Sequence, residues 1–189
     1  MTWTPLEIAA NLLTAICIFL AGRNNVHTWW TGIVACILFG VLFYTTQLYA
    51  DATLQIFFVV AGILGWIGWV KLGDREPLKI ANADKKTLTA SLIAAVFVAL
   101  GYGAILHKYT NAYAPWIDST VLAFSVVAQI LLMSRKVETW PVWLLVNTLS
   151  VPLFWSRELY LTSILYAFFW VNALISWKHW MNLMDDKKG

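Results

Sequence analysis

Seven long apolar runs, separated by short polar stretches, make up most of the chain. They cover residues 6–21, 30–49, 52–72, 88–107, 119–134, 140–156 and 159–177. A helix needs about 20 mostly apolar residues to cross a bilayer. The runs are continuous rather than alternating, which argues against a closed barrel, the other fold that satisfies its backbone hydrogen bonds in lipid. Very tight turns join the second run to the third and the sixth to the seventh. The pattern predicts an all-α integral membrane protein with seven transmembrane helices.

Composition supports the same class. Of the 189 residues, 60% are apolar or aromatic and 12% are charged, and the mean hydropathy is +0.69. A soluble domain is about half apolar and about a quarter charged. A chain of this size has too little interior to hide so much apolar surface from water. Disorder, a disulfide scaffold and a nucleic-acid-binding domain are therefore disfavoured. Cys17 and Cys36 both lie inside apolar runs and read as small hydrophobic residues. Residues 1–10 carry no Lys or Arg, and no cleavage pattern surrounds Ala21-Gly22-Arg23, so the N-terminus does not read as a secretory signal.

The charges carry a topological meaning. With seven spans, the side holding the N-terminus has two basic residues, Lys108 and Arg157. The other side has the remaining eleven of 13: Arg23, Lys71, Arg75, Lys79, Lys85, Lys86, Arg135, Lys136, Lys178, Lys187 and Lys188. The positive-inside rule then places the C-terminus in the cytoplasm and the N-terminus outside. Trp29, Trp30, Trp66, Trp69, Trp116, Trp177 and Trp180 cluster where runs end, as an interfacial aromatic belt would.

Shifted by 111 positions, residues 12–69 align without a gap on residues 123–180, with 15 identities over 58 positions. Trp29 meets Trp140, Thr28 meets Thr139, Phe57-Phe58 meets Phe168-Phe169, and Trp66 and Trp69 meet Trp177 and Trp180. Chance in so biased a composition gives about a third of that number, so an internal repeat is expected. Helices one and five are four apart and insert in the same direction. The architecture is two parallel three-helix repeats joined by a linker helix. Residues 1–72 form the first repeat, 73–86 a solvated cytoplasmic loop, 87–108 the linker helix, 116–180 the second repeat and 181–189 a cytoplasmic tail. Transporters commonly use such repeats and bind substrate where the repeats meet.

No Asp, Glu, Lys or Arg lies deep in a run; Glu7, Asp51 and Asp118 sit at span ends. This disfavours ion coupling and a retinal-type receptor. His27, His107 and His179 are near loops and lack metal-ligand spacing, and no cofactor is implied. No spacing suggests a nucleophile and base, so an intramembrane enzyme is disfavoured. Neutral polar groups remain: Asn147, Gln129, Gln55, Tyr166 and Asn172. Helix–helix hydrogen bonding would explain any one of them. Trp140, Trp143 and Asn147, however, are spaced i, i+3, i+7 on one helical face. Two indoles and an amide that can both donate and accept make a slot for a flat ring, especially a cationic one. The repeat mates of Trp143 and Asn147 are Gly32 and Cys36, so the symmetry breaks at these positions.

Trp116-Ile-Asp-Ser119, then Leu122 to Lys136, then Trp140-Pro-Val-Trp143-Leu-Leu-Val-Asn147 resembles the Pnu-type vitamin transporters, which include the nicotinamide riboside transporters. The Trp-x-x-Trp-x-x-x-Asn/Asp pattern is that family's hallmark. Leu48-Tyr-Ala-Asp51 with Leu54-Gln55, and Gly65-Trp66 with Trp69, resembles its first-repeat pattern, so the likeness runs from about residue 7 to residue 180. The resemblance implies a fold related to the SWEET sugar transporters, three plus one plus three helices. It also implies uptake by facilitated diffusion in the bacterial inner membrane, energised by a cytoplasmic kinase that traps the vitamin, and a homotrimer. Trp140, Trp143 and Asn147 would line the substrate site. Asn147 favours nicotinamide riboside over thiamine or riboflavin, which relatives carry. A seven-helix receptor or sensor has the same topology and stays as the distant alternative.

Overall fold

The computed structural model describes residues 4–45, 49–70, 78–109, 114–156 and 160–185. Lys71, Arg75, Arg157, Lys187, Lys188 and Leu48 lie outside them, as do the side chains of Glu7, Tyr49, Asp51 and Leu54. Among the described residues seven helices form: α1 (Pro5–Gly22), α2 (His27–Thr45), α3 (Tyr49–Trp69), α4 (Lys85–Tyr109), α5 (Pro115–Met133), α6 (Thr139–Ser156) and α7 (Tyr160–Asp185). Their order is three helices, a linker and three helices.

The helices run further than their apolar cores. Tyr49, expected at the end of the second run, opens α3, and α7 reaches Asp185, eight residues past the seventh run and into the expected tail. Hydropathy marks where side chains prefer lipid, whereas a helix continues until a cap or turn ends its hydrogen bonds. At α4 the cap is Asp84. Its Oδ2 accepts from the Thr87 backbone N–H (3.0 Å) and from Thr87 Oγ1 (3.1 Å), the pattern of an N-cap. The Thr87 backbone N–H and hydroxyl hold the Asp84 carboxyl below its ordinary pKa. A lowered carboxyl pKa stabilises the folded cap above the unfolded value and loses that contribution as pH falls through the folded one. Acidification should therefore speed amide exchange at Thr87 beyond its intrinsic rate, and Asp84→Ala should abolish that extra pH dependence.

The chain divides into two compact units, Met1–Lys79 with α1–α3 and Ile80–Gly189 with α4–α7. In the second unit the linker α4 lies along α5. Ala95, Ala99 and Gly103, four residues apart on α4, are buried, and Ala95 and Ala99 join a core with Ala123, Val127, Ala128, Leu131 and Val142. A Cβ on Gly103 would come within 2.7 Å of Trp116 Cε3 and 2.8 Å of Ser119 Oγ. Small residues let helix backbones approach where lipid offers no hydrophobic drive.

Outward, the helices present apolar side chains, among them Ile93, Phe97 and Leu100 on α4 and Ile164, Phe168 and Ile175 on α7. Both α4 and α5 contain 18-residue apolar windows, with mean hydropathy 2.1 and 1.7. Only 17% and 33% of these windows are buried, whereas a soluble core helix of that hydropathy would be mostly enclosed. The described apolar stretches of α1, α2 and α3 are shorter: Ile8–Gly22, His27–Leu42 and Gln55–Trp69. The surface of this all-α membrane protein is made for lipid.

The 73–86 loop is not simply a solvated connector. Ala81 N–H donates to Arg135 O and Val137 N–H to Ala81 O, both at 3.1 Å. Ala83 N–H donates to Glu138 Oε2 (2.8 Å) and Lys136 Nζ to Asn82 O (3.2 Å). Residues 81–83 are thereby stitched to the α5–α6 turn.

Each repeat is built to the same internal plan. Asn24 after α1 and Arg135 after α5, 111 apart, both take a left-handed backbone (φ 52° and 50°). Asn25 N–H then reaches Leu20 O (3.0 Å), and Lys136 N–H reaches Leu131 O (2.9 Å), the wide helix-ending hydrogen bond of the Schellman type. Thr28 Oγ1 donates to Cys17 O, and Thr139 Oγ1 to Ala128 O, each at 2.8 Å. Trp29 packs edge-on against Trp69 (5.2 Å, 86°), and Trp140 packs against Trp180 in the same way (5.4 Å, 85°).

These pairs correct the aromatic-belt reading. Trp29, Trp69 and Trp180 are buried, whereas neighbouring Trp30 is exposed, with its Nε1 donating to His27 Nδ1 at 2.9 Å. Successive helix positions point about 100° apart, so one of two adjacent tryptophans faces the partner helix and the other faces out. The Trp29 ring lies across Gly65, where a Cβ would collide with the indole. Gly65→Ala should therefore destabilise the protein by about 1–3 kcal/mol through overpacking, read as a lower thermal midpoint in detergent.

Candidate substrate-binding site

The motif helix α6 turns its buried face through Thr139, Trp140, Val142, Val146, Asn147, Ser150 and Leu153. The three motif residues have different surroundings. Trp140 is enclosed against Trp180 near the start of the helix. Trp143 is half-buried and packs on the small-residue core shared by α4 and α5. Its repeat mate Gly32 has no room for a side chain, since a Cβ there would meet Cys17 Sγ at 2.9 Å. The repeats exchange bulk here: Cys17 fills the space over Gly32, while small Ala128, the mate of Cys17, belongs to the core on which Trp143 packs.

Asn147 is 3% exposed, and among the described residues no hydrogen bond engages its amide. Neither amide atom is among the fully enclosed atoms that lack a partner, so the amide keeps an edge open to a ligand. Two hydrogen-bonding edges are thus placed on α6 next to Trp143 without being used to hold helices together.

The other polar candidates disperse. Tyr166 is clamped between Phe154 (4.9 Å) and Phe169 (5.5 Å), which ties α7 to α6. Asn172 is buried on α7. Gln129 is half-buried on α5. Gln55 belongs to the first unit, its stem against Gly40, where a Cβ would lie 3.6 Å from Gln55 Cβ. A cleft of about 270 Å³ opens in the second unit between Asp84, Thr87, Leu88, Val127, Leu131 and Lys136. It contains no residue of the α6 motif. Among the described residues no three His, Cys, Asp or Glu gather as metal ligands.

Sequence reasoning missed the roles of Thr139 and Trp180, which fix the start of α6. Their identity with Thr28 and Trp69 was the available signal, and it points to a structural task shared by both repeats.

Known proteins share the sequence pattern and the fold of this chain. The family model described as nicotinamide mononucleotide transporter matches residues 4–182. The nicotinamide riboside transporter PnuC of Escherichia coli is 27% identical over 213 residues, covering 99% of this chain and 88% of the relative. The protein of the same name from Neisseria mucosa is 25% identical, covering 92% and 71%. The riboflavin/roseoflavin transporter RibM of Streptomyces davaonensis is 23% identical, covering 90% and 81%. The crystal structure of the vitamin B3 transporter PnuC shares the fold, with a TM-score of 0.75 at 21% identity over 96% of this chain and 82% of that one. The chain belongs to the nicotinamide mononucleotide transporter family, a family of multi-pass membrane transporters and not of enzymes.

Proposed function

We propose that this protein carries nicotinamide riboside across the membrane by facilitated diffusion. The observation that carries the reading is the Trp143–Asn147 stretch of α6, an indole followed one turn on by an asparagine that is 3% exposed and whose amide makes no hydrogen bond among the described residues. A pyridinium ring gains from an aromatic face, and its carboxamide can exchange two hydrogen bonds with an asparagine. Trp143 and Asn147 contact the substrate. Trp140, held by Trp180, closes the end of the slot. Gln129, Gln55, Tyr166 and Asn172 are further candidates for the path.

The nucleoside, not the mononucleotide, fits the charges. Within the seven helices Lys occurs only near the ends of α4 (Lys85, Lys86, Lys108) and late in α7 (Lys178), and Arg does not occur. A phosphate would find no guanidinium or ammonium at mid-depth to hold it. Two relatives named as riboside transporters support the same substrate.

With no Asp, Glu, Lys or Arg deep in a span, transport runs down the gradient, and a cytoplasmic kinase that phosphorylates the riboside keeps it inside. The N-terminus lies outside and the C-terminus in the cytoplasm of the bacterial inner membrane, in keeping with eleven basic residues against two. The protein works as a homotrimer. A second reading, riboflavin as substrate, draws support from the RibM relative.

The test is uptake of labelled riboside into liposomes holding the purified protein, with thiamine, riboflavin and the mononucleotide in parallel. Equal concentrations on both sides, insensitive to ionophores, support the uniporter. Accumulation against the gradient rejects it. Uptake of riboflavin alone corrects the substrate, and transport of none of them turns the reading toward a receptor.

A further inference from the structure

The two repeats act as an internal control on each buried polar residue. Where a polar group serves the fold, both copies should keep it. Thr28 and Thr139 do so, each donating to a carbonyl at 2.8 Å, and so do the tryptophan pairs. Where a polar group serves a ligand that binds once, only one copy needs it. Five buried polar residues of the second repeat align with apolar or small residues of the first: Asn147 with Cys36, Ser150 with Phe39, Ser163 with Ala52, Asn172 with Ala61 and Ser176 with Gly65; Ser163 nevertheless serves the fold, donating to Val151 O at 2.9 Å.

Of these, Ser150 is fully enclosed at 0% exposure, and among the described residues its Oγ has no hydrogen-bond partner. A helical serine ordinarily bonds back to the carbonyl one turn earlier. Its α6 neighbour Thr148 does so, donating to Leu144 O at 2.7 Å, and Ser156 donates to Leu153 O at 2.8 Å. Ser150 forgoes this even though burying a hydroxyl without a partner is unfavourable. The first repeat shows that the fold itself is satisfied by a phenyl ring at this position.

Ser150 stands three residues beyond Asn147 on the same helical face, about 4.5 Å further along the axis at 1.5 Å per residue. That step matches the distance from a nucleoside's base to its sugar. Resting on the proposed reading of Trp143 and Asn147 as the base-binding part of the site, we infer that Ser150 is a specificity-determining contact. Its hydroxyl exchanges a hydrogen bond with one hydroxyl of the substrate's ribose. The hydroxyl suits that partner because it can donate or accept by rotation. A site built to bond a hydroxyl rejects an analogue lacking it, because its own polar group then stays unpaired.

The experiment is calorimetric titration of purified wild type and Ser150→Ala with nicotinamide riboside and its three monodeoxy-ribose analogues, with thermal unfolding of both proteins. Wild type should lose about five- to tenfold in affinity for one analogue, the yield of a single neutral hydrogen bond. Ser150→Ala should bind the riboside about as weakly as wild type binds that analogue, and the two losses should not add. Its thermal midpoint should stay level or rise, since no internal bond is removed. Equal riboside affinity in the variant overturns the inference, as does a lower midpoint with affinity unchanged, which would make Ser150 structural. Additive losses with every analogue also overturn it. Wild type that binds no riboside at all would instead defeat the transport reading on which the inference rests, so the two failures are told apart.

Discussion

Trp140→Ala is expected to destabilise the folded protein by about 3 kcal/mol, toward the low end for a large aromatic truncated in a packed site. Lipid tails dissolve an indole nearly as well as a protein interior does, so little of that cost is hydrophobic transfer. It comes from the cavity left beside Trp180, whose ring now meets Trp140 edge-on at 5.4 Å, and from the lost dispersion contacts. Trp29→Ala removes the matching half of the first-repeat pair, packed on Trp69 at 5.2 Å, and should cost a similar amount. Thermal unfolding in a fixed detergent measures both. An unchanged midpoint for either variant would show that its tryptophan pair does not brace the repeat. Because Trp29 lies outside the proposed substrate contacts, its variant also separates loss of fold from loss of binding.

Asn147→Ala should give the opposite profile. The amide makes no hydrogen bond within the described protein, so truncation removes no internal bond, and the midpoint should barely move. On the proposed reading the riboside, in contrast, would lose partners for its carboxamide. A loss of about 1–3 kcal/mol is expected, about tenfold in Kd for each 1.4 kcal/mol. Calorimetric titration reads the affinity, and unfolding of the same preparation reads the stability. Lower stability with unchanged affinity would return Asn147 to the ordinary role of an amide between helices.

The contrast between these variants rests on what hydropathy can and cannot report. All seven helices were legible in the sequence, because each apolar run is long and broken by polar turns. Their ends were not, since α7 runs to Asp185 on residues that hydropathy assigns to water. The repeat was legible from the tryptophan and threonine identities. Its meaning, a left-handed turn at Asn24 and Arg135 followed by a threonine clasp and an indole pair, came only with coordinates. In the same way, the motif residues Trp140, Trp143 and Asn147 were visible by spacing, but their different surroundings were not. Residues 81–83 read as a solvated loop, because backbone hydrogen bonds to a turn more than fifty residues away leave no mark in composition.

The sequence by itself determined the membrane class, the number and order of helices, the internal repeat and the position of the motif. Each depends on summed side-chain preference for lipid or water, a property that residues carry with them. Only the tertiary structure decided which face of each helix meets a partner. In a soluble helix the buried face is apolar and the outer face polar, so periodicity reveals the inside. Here both faces are apolar, since lipid replaces water outside. The distinction between buried Trp29 and exposed Trp30, or between bonded Thr148 and partnerless Ser150, is settled by which neighbouring helix stands opposite and how closely it packs.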